Sequence, residues 1–169
     1  MQNYWKREST VFYPPIDKPS TFNQTKNLDL VCVGRFNKGK RSKRQDIVID
    51  VFKDLIAMGY ADVNLHLIGY NQDNEYVNQL KESAKGFPVF FHENCSNENR
   101  IAVLNQSAIY ISACGFENNG KVKPMLVEHY GISVVEAMSY GCIPVVIGKG
   151  GHLETVDHKI NGYHWNTKE

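Results

Sequence analysis

The feature that most constrains the fold of this chain is a regular alternation of short apolar segments with longer segments of helical spacing. The first unit consists of "LDLVCVG" (28–34), "KRQDIVIDVFKDLIAMG" (43–59) and "VNLHLIG" (63–69). The outer two segments are rich in β-branched and other apolar residues and end in glycine, which predicts strands. The middle segment carries apolar residues at helical intervals and ends at Gly59, so it predicts a helix. Together they predict one β-α-β unit.

The same alternation continues along the rest of the chain and predicts the fold class. Helices are expected over about 74–85 and 97–106 and within "EHYGISVVEAMSYG", and strands at "PVFFHE", "AIYISA", "CIPVVIG" and "GYHW". Apolar strands separated by helices are typical of a parallel sheet with helices on both faces. The chain is therefore predicted to be an α/β protein with a doubly wound, mostly parallel Rossmann-like sheet. Ligands of such sheets bind at the carboxyl ends of the strands.

The composition is that of one globular domain without a strong overall charge. The chain has 169 residues, 42% of them hydrophobic, and 19 basic residues against 18 acidic ones. This balance gives no global field that would attract nucleic acid, so electrostatic recognition has to come from local clusters. The polar segment 1–27 contains Pro14, Pro15 and Pro19, which predicts an extended linker before a domain at 28–169. Because neither a signal-peptide core nor a membrane span is evident, we expect a cytoplasmic protein.

The cysteines and histidines give no indication of a metal site. The four cysteines are scattered without a C-x-x-C pair, and three of them lie in or beside apolar segments, so buried free thiols are expected. Three C-terminal histidines recur six positions apart, which is not the spacing that places two imidazoles on one helical face. They are His152, His158 and His164. No metal cofactor is therefore expected.

A basic loop, "GRFNKGKRSKRQD" (34–46), follows the first predicted strand. Five of the seven residues from 38 to 44 are basic, and Arg35 lies at the end of the strand. Such a run is often only a solvated surface loop, and it is also compatible with a nucleic-acid contact. Its position between a strand and the N terminus of a helix favours phosphate binding. Neither the GxGxxG fingerprint nor the Walker loop is present, which argues against NAD binding and ATP hydrolysis.

Two glutamates, Glu128 and Glu136, bracket a second candidate anion site in "EHYGISVVEAMSYGCIPVV". The helix here is predicted to have Ser133 as its N-cap, to hold Glu136 in its first turn and to end at Gly141. Its first N–H groups are available to an anion. The two carboxylates are compatible with an acid and a base, a metal clamp or acceptors for sugar hydroxyls. Alternatively, Glu136 only complements the helix dipole and Glu128 is solvent-exposed. The spacing alone does not decide between these possibilities.

The same segment resembles the E-x7-E signature of the retaining glycosyltransferases of family 4, the glycogen-synthase-like group whose GT-B fold has two Rossmann-type domains. Further segments resemble that family in the same order. "VFYPPID" is similar to its interdomain linker, "VGRF" with "KRQD" to its phosphate-binding segment, and "GGHLETV" and "NGYHW" to the stretches that follow. The resemblance runs from about residue 11 to 165. It implies a C-terminal, donor-binding half that lacks the N-terminal acceptor domain.

The resemblance implies how the diphosphate of a nucleotide sugar would be held. Arg35 and Lys43 would contact it. Lys40 is the alternative to Lys43, because the family's loop is shorter and the match depends on aligning "KRQD". The backbone amides that would receive the distal phosphate are those of Gly131, Ile132 and Ser133.

The resemblance also implies the roles of the two glutamates, which would form the catalytic centre. Glu136 would hold the ribose hydroxyls, and Glu128 would contact the transferred sugar. In this family the acceptor attacks the anomeric carbon from the same face from which the leaving group departs. Positive charge stabilises the leaving diphosphate without a metal. The long loop before Glu128, from about 114 to 127, departs from many members and is expected to influence donor choice.

The implied activity is therefore transfer of a sugar from a nucleotide diphosphate sugar to an acceptor. Alone, this chain is expected to bind a nucleotide or nucleotide sugar weakly and to transfer little. Contact with membranes would come only through the missing half, and nucleic acid is not an expected partner. Base recognition is expected near "FHENCSN" (91–97). The alternative function is a nucleotide-binding module without transferase activity.

Overall fold

The computed structural model describes residues 8, 10–17, 19, 23–39, 42–118 and 123–168, in which six strands alternate with five α-helices. The strands are β1 (Asn27–Val33), β2 (Leu65–Gly69), β3 (Val89–Glu93), β4 (Ser107–Ser112), β5 (Ile143–Ile147) and β6 (Tyr163–Trp165). The helices are α1 (Gln45–Ala57), α2 (Asn74–Ser83), α3 (Asn97–Gln106), α4 (Ile132–Ser139) and α5 (His152–Thr155). A short 3-10 helix, Pro124–Leu126, precedes α4.

The strands form one sheet in the order β3-β2-β1-β4-β5-β6, and every neighbouring pair is parallel. At the centre of the sheet, Leu30 of β1 pairs with Leu65 of β2 on one side and with Ile109 of β4 on the other. The predicted doubly wound α/β class is confirmed. The chain reverses its direction of travel across the sheet between β1 and β4, so the crevice for a ligand is expected at the carboxyl ends of these two strands.

The two faces of the sheet are covered by different helices. Alternate residues of β1 point to opposite sides, with Leu30 and Cys32 in one core cluster and Val31 in the other. The first cluster contains buried residues of α1 and α2, such as Phe52. The second contains buried residues of α3 and α4, such as Leu104. This division explains why β1 is apolar on both faces, since burial of both faces is the main stabilising term of such a sheet.

The helix boundaries follow local signals in the sequence. Asp73 and Ser96 cap α2 and α3 by accepting hydrogen bonds from the amides of Tyr76 and Asn99. Gly59, with a φ of 99°, ends the region of α1 as predicted. The helix predicted over about 74–85 ends slightly earlier, at Ser83.

The described residues before Asn27 form neither helix nor strand, and some of them contact the domain closely. The Lys26 ammonium donates to the carbonyls of Leu104, Asn105 and Ser107 at 3.1, 3.0 and 2.9 Å, at the carboxyl end of α3. The ring of Tyr13 stacks on that of Tyr130 with centroids 5.3 Å apart. Among the helices that the structure describes, none has the length and apolar character that crossing a membrane requires.

Candidate functional site

Two adjoining cavities lie at the carboxyl ends of β1 and its neighbours. The main cleft, of about 460 Å³, is lined by Arg35, Lys43, the segment 128–133 and Glu136. The side cavity, of about 420 Å³, extends over the ends of β2 and β3 and is lined by residues that include Tyr70, Asn94, Cys95 and Arg100. The two cavities share Val33, Gly34 and Arg35. The site therefore lies at the topological switch point of the sheet, where doubly wound domains bind ligands.

Arg35 lies at the end of β1 and is exposed in both cavities. No acidic side chain in the described part of the chain forms an ion pair with it. Its backbone is fixed by the buried Gln45 of α1, which donates from Nε2 to the carbonyls of Gly34 and Arg35, each at 3.1 Å. The guanidinium is thus a positioned cation that is available to an anionic ligand. Gln45 was not recognised from the sequence, since a single polar residue in an apolar helix has no motif.

Lys43 and Glu128, which the sequence placed in separate motifs, form an ion pair across the main cleft. Only 25% and 17% of their side chains are exposed. Burial works against ionisation of both groups, but the partner outweighs it, so the pKa of Lys43 is raised and that of Glu128 is lowered. The interpretation of Glu128 as a solvent-exposed residue is therefore wrong.

Two buried thiols, those of Cys32 and Cys114, lie near this pair. Burial raises the pKa of Cys32 to about 12 and that of Cys114 to about 11, so both stay protonated and unreactive at neutral pH. All four cysteines are free, as the sequence predicted. The Cys114 thiol lies beside Glu128 and adds to the low-dielectric wall of the cleft.

The start of α4 forms the floor of the main cleft, and it corrects two predictions. Gly131, with a φ of 89°, is the N-cap residue, so Ser133 is not the cap; its hydroxyl is 2.8 Å from that of Tyr110. Glu136 is the fifth residue of α4 and lies in its second turn, not its first. No acceptor for the amides of Ile132 and Ser133 lies within the described residues, so these N–H groups remain available to an anion as expected.

Glu136 forms an ion pair with Arg100, a residue of α3 that the sequence did not indicate. The Arg100 guanidinium also donates from Nη2 to Oδ1 of Asn97 at 2.5 Å. The pair is partly buried, with side-chain exposures of 25% for Arg100 and 21% for Glu136, and it joins the lining of the side cavity to that of the main cleft. Arg100 and Glu136 lie 36 positions apart, and only the packing of α3 and α4 on one face of the sheet brings them together.

The glycine pair Gly150 and Gly151 holds the loop that carries Glu128. The Gly151 amide donates to the Glu128 carbonyl at 2.7 Å. A Cβ on Gly151 would lie 2.1 Å from the His129 carbonyl oxygen, so only glycine permits this approach of two backbones. The pair begins "GGHLETV", whose four-residue helix α5 is too short to be predicted from periodicity.

His152, which follows this pair, is buried behind the same loop. Its Nδ1 donates to the Ile147 carbonyl at 2.9 Å, while Nε2 has no partner within the described residues. Burial lowers its pKa, so the imidazole is neutral near pH 7. The described residues contain no group of three or more His, Cys, Asp or Glu side chains that could hold a metal ion.

Among the described basic residues from 38 to 44, Lys43 alone lines the main cleft. Lys38 donates to Gln79 at 3.2 Å, and Arg44 pairs with Asp46 and Glu117, all on the side of α1 and α2. Lys40, the predicted alternative to Lys43, lies outside the described residues.

The sequence model of the family described as "Glycosyl transferases group 1" matches residues 15–169. The chain is 29% identical over 164 residues to the GDP-Man:Man(3)GlcNAc(2)-PP-Dol alpha-1,2-mannosyltransferase of Caenorhabditis elegans, covering 86% of this chain and 32% of that protein. It is 32% identical over 113 residues to the glycogen synthase of Chlorobium phaeovibrioides, covering 66% of this chain and 20% of that protein. The chain thus spans about a third or less of the length of these curated relatives.

Solved structures share the fold at low sequence identity. The structure of TarM superimposes with a TM-score of 0.66 at 18% identity, covering 92% of this chain and 28% of that one. The apo lipopolysaccharide outer core galactosyltransferase WaaB has a TM-score of 0.66 at 16% identity, covering 93% and 42%. Anabaena Alr3699/HepE in complex with UDP and glucose has a TM-score of 0.61 at 22% identity, covering 85% and 35%. These likenesses confirm the Rossmann-like fold of a GT-B half.

Proposed function

The chain belongs to the glycosyl transferases group 1 family, and from this premise we propose that it is the donor-binding domain of a retaining family 4 glycosyltransferase. The single observation that carries the proposal is the main cleft itself. Arg35 and Lys43 line this cleft together with Glu128, Glu136 and the start of α4, where the amides of Ile132 and Ser133 have no acceptor among the described residues. The names of the mannosyltransferase and the UDP-bound structure support a nucleotide sugar as the ligand.

The diphosphate of the donor would lie between Arg35, Lys43 and the start of α4. Arg35 offers a guanidinium that has no acidic partner among the described residues, and Lys43 offers an ammonium that Glu128 already keeps protonated. The amides of Gly131, Ile132 and Ser133 would receive the distal phosphate, where the helix dipole favours negative charge. These groups stabilise the diphosphate as it leaves, which is the main electrostatic requirement of the transfer.

The two glutamates would hold the two sugars of the donor. Glu136, which borders the side cavity through Arg100, would accept hydrogen bonds from the ribose hydroxyls. This arrangement directs the base into the side cavity, whose lining includes Asn94 and Cys95 of the segment 91–97. Glu128 would contact the transferred sugar, beside the leaving diphosphate.

The complete reaction requires an acceptor site, which we assign to a second domain outside this chain. The curated relatives are at least about three times longer than the matched segment. Residues 1–27 would then be the linker and 28–169 the donor domain. The acceptor would attack the anomeric carbon from the face of the departing diphosphate, without a metal ion, in the cytoplasm. Alone, the chain binds the donor weakly and transfers little.

Calorimetric titration of the chain with UDP, GDP, ADP and their sugar conjugates tests this function. We expect binding of at least one nucleotide and its sugar conjugate, with affinity reduced in Glu136→Ala. Absence of all such binding, or salt-sensitive DNA or RNA binding that survives Glu136→Ala as the only activity, would contradict the proposal. A longer protein that binds the donor but neither hydrolyses nor transfers it would favour the alternative of a nucleotide-binding module.

A further inference from the structure

We propose that Arg100 is a positioning residue that orients Glu136 toward the ribose of the nucleotide. The inference rests on the proposed function and adds a residue that no motif of the chain contains. Its basis is the ion pair between Arg100 and Glu136 at the boundary of the two cavities.

The geometry fixes both partners of this pair. One terminal nitrogen of Arg100, Nη1, contacts Oε2 of Glu136, and the other, Nη2, donates to Oδ1 of Asn97 at 2.5 Å. Asn97 begins α3, so the guanidinium is anchored to the first turn of its own helix while it holds a side chain of α4. Held at two points, the guanidinium cannot rotate freely, and the carboxylate is held with it.

The position of the pair links it to the ribose. Glu136 lines the main cleft, whereas Arg100 lines the side cavity, and both cavities meet at Val33, Gly34 and Arg35. A nucleoside that spans the two cavities has its ribose at this boundary. Since Arg100 contacts Oε2, the second oxygen of Glu136 and the remaining lone pairs are left to accept the ribose O–H groups. Without Arg100, the carboxylate would lose its orientation and its partner.

Calorimetry with the nucleotide that binds most tightly among UDP, GDP and ADP, and with its 2′,3′-dideoxy counterpart, tests the role. We expect the wild type to prefer the ribose form by about 10- to 100-fold, the usual effect of hydrogen bonds to a charged acceptor. Arg100→Met should reduce this preference about tenfold, because the carboxylate is no longer oriented. Arg100→Lys, which keeps the charge without the planar fork, should retain part of it. Binding of inorganic pyrophosphate should be unchanged in both variants.

A matched control is Lys168→Met, which removes a 2.7 Å ion pair with Asp50 of α1 and should leave the preference unaltered, because neither residue lines either cavity. A full ribose preference in Arg100→Met, whatever its thermal stability, would overturn the positioning role. Tighter ribonucleotide binding in that variant would also overturn it, because Arg100 would then compete with the ribose. Wild-type protein that binds no nucleotide would overturn the proposed function and this inference together.

Discussion

The two ends of the main cleft are built from the same kind of pair, yet different parts of the fold supply them. At one end Glu128 pairs with Lys43, and the pair connects the loops that follow β4 and β1. At the other end Glu136 pairs with Arg100, and the pair connects two helices on one face of the sheet. The Lys43 pair therefore lies directly over the switch point, where a diphosphate would enter. The Arg100 pair lies where the linings of the two cavities meet, and there the proposed binding mode places the ribose.

The largest effect is expected from Lys43→Met, which removes the cation at the diphosphate end. Nucleoside diphosphate affinity should fall about 10- to 100-fold, because a charge-assisted contact is lost. The partly buried Glu128 would also be left unpaired, at a cost of about 1–3 kcal/mol in the free energy of unfolding. Calorimetry and urea denaturation measure the two effects. If diphosphate affinity were unchanged, Lys43 would be only a partner of Glu128.

A second substitution, Gly151→Ala, disturbs the loop at the Glu128 end of the cleft. The added Cβ would overlap the His129 carbonyl, so the backbone of the loop has to move, at a cost of about 1–3 kcal/mol. We expect the substitution to weaken the binding of nucleotide sugars more than that of plain nucleotides, since Glu136 and Arg100 are untouched. Gly39→Ala is the control, because a Cβ there meets no atom of the described residues within 4 Å. Equal stability of the two variants in urea would contradict this role of Gly151.

The Glu128 end should also be sensitive to acid. The lowered pKa of His152 means that the unfolded chain binds a proton more readily, so the folded protein loses stability as the pH falls below about 6.5. The lowered pKa of Glu128 adds a further loss below about pH 4.5. His152→Asn keeps a donor for the Ile147 carbonyl and does not titrate.

In denaturation experiments between pH 6.5 and 5, His152→Asn should show a shallower loss of stability than the wild type. Part of the slope remains, because burial also lowers the pKa of His66 and His92. An identical slope in wild type and variant would show that His152 does not contribute to the acid sensitivity.

The smallest effect is expected where the N-terminal segment contacts the cleft. Tyr13→Ala removes the stacking on Tyr130, beside Gly131, and a 3.1 Å hydrogen bond to Glu154. Because Tyr13 is exposed to solvent, its contacts stabilise the fold only weakly, and the melting temperature should fall by only a few degrees. Thermal melts of Tyr13→Ala and Tyr13→Phe separate the ring from the hydroxyl. A larger loss in Tyr13→Phe than in Tyr13→Ala would contradict the importance of stacking.

The order of strands and helices could be predicted from the sequence because the strands have local signals of apolar residues, and β1, β2 and β5 end at a glycine or directly before one. The position of Arg35 followed from the same logic, since the end of β1 is the end of an apolar run. The prediction of Ser133 as the N-cap was wrong because Gly131, in the left-handed region, starts α4 earlier. In addition, the Ser133 hydroxyl contacts Tyr110 of β4 instead of the helix amides. That contact depends on tertiary packing.

Arg100 shows most clearly what the sequence does not contain. Nothing in the first turn of α3 distinguishes this arginine from a solvated one, and its partner follows only after β4 and a long loop have been crossed. The pairing of Lys43 with Glu128 could not be predicted from the sequence either, although both residues were candidate site residues. Local pattern identified the residues of the cleft, and the packing of the fold determined which of them are paired.

The most direct test of the two-ended cleft is a comparison of Glu136→Ala and Glu128→Ala by calorimetry with one nucleoside diphosphate and its sugar conjugate. Glu136→Ala should weaken binding of both ligands about 10- to 100-fold, because both contain the ribose. Glu128→Ala should leave the plain nucleotide unaffected and weaken only the sugar conjugate. Equal losses for both ligands in both variants would contradict the assignment of Glu136 to the ribose and Glu128 to the transferred sugar.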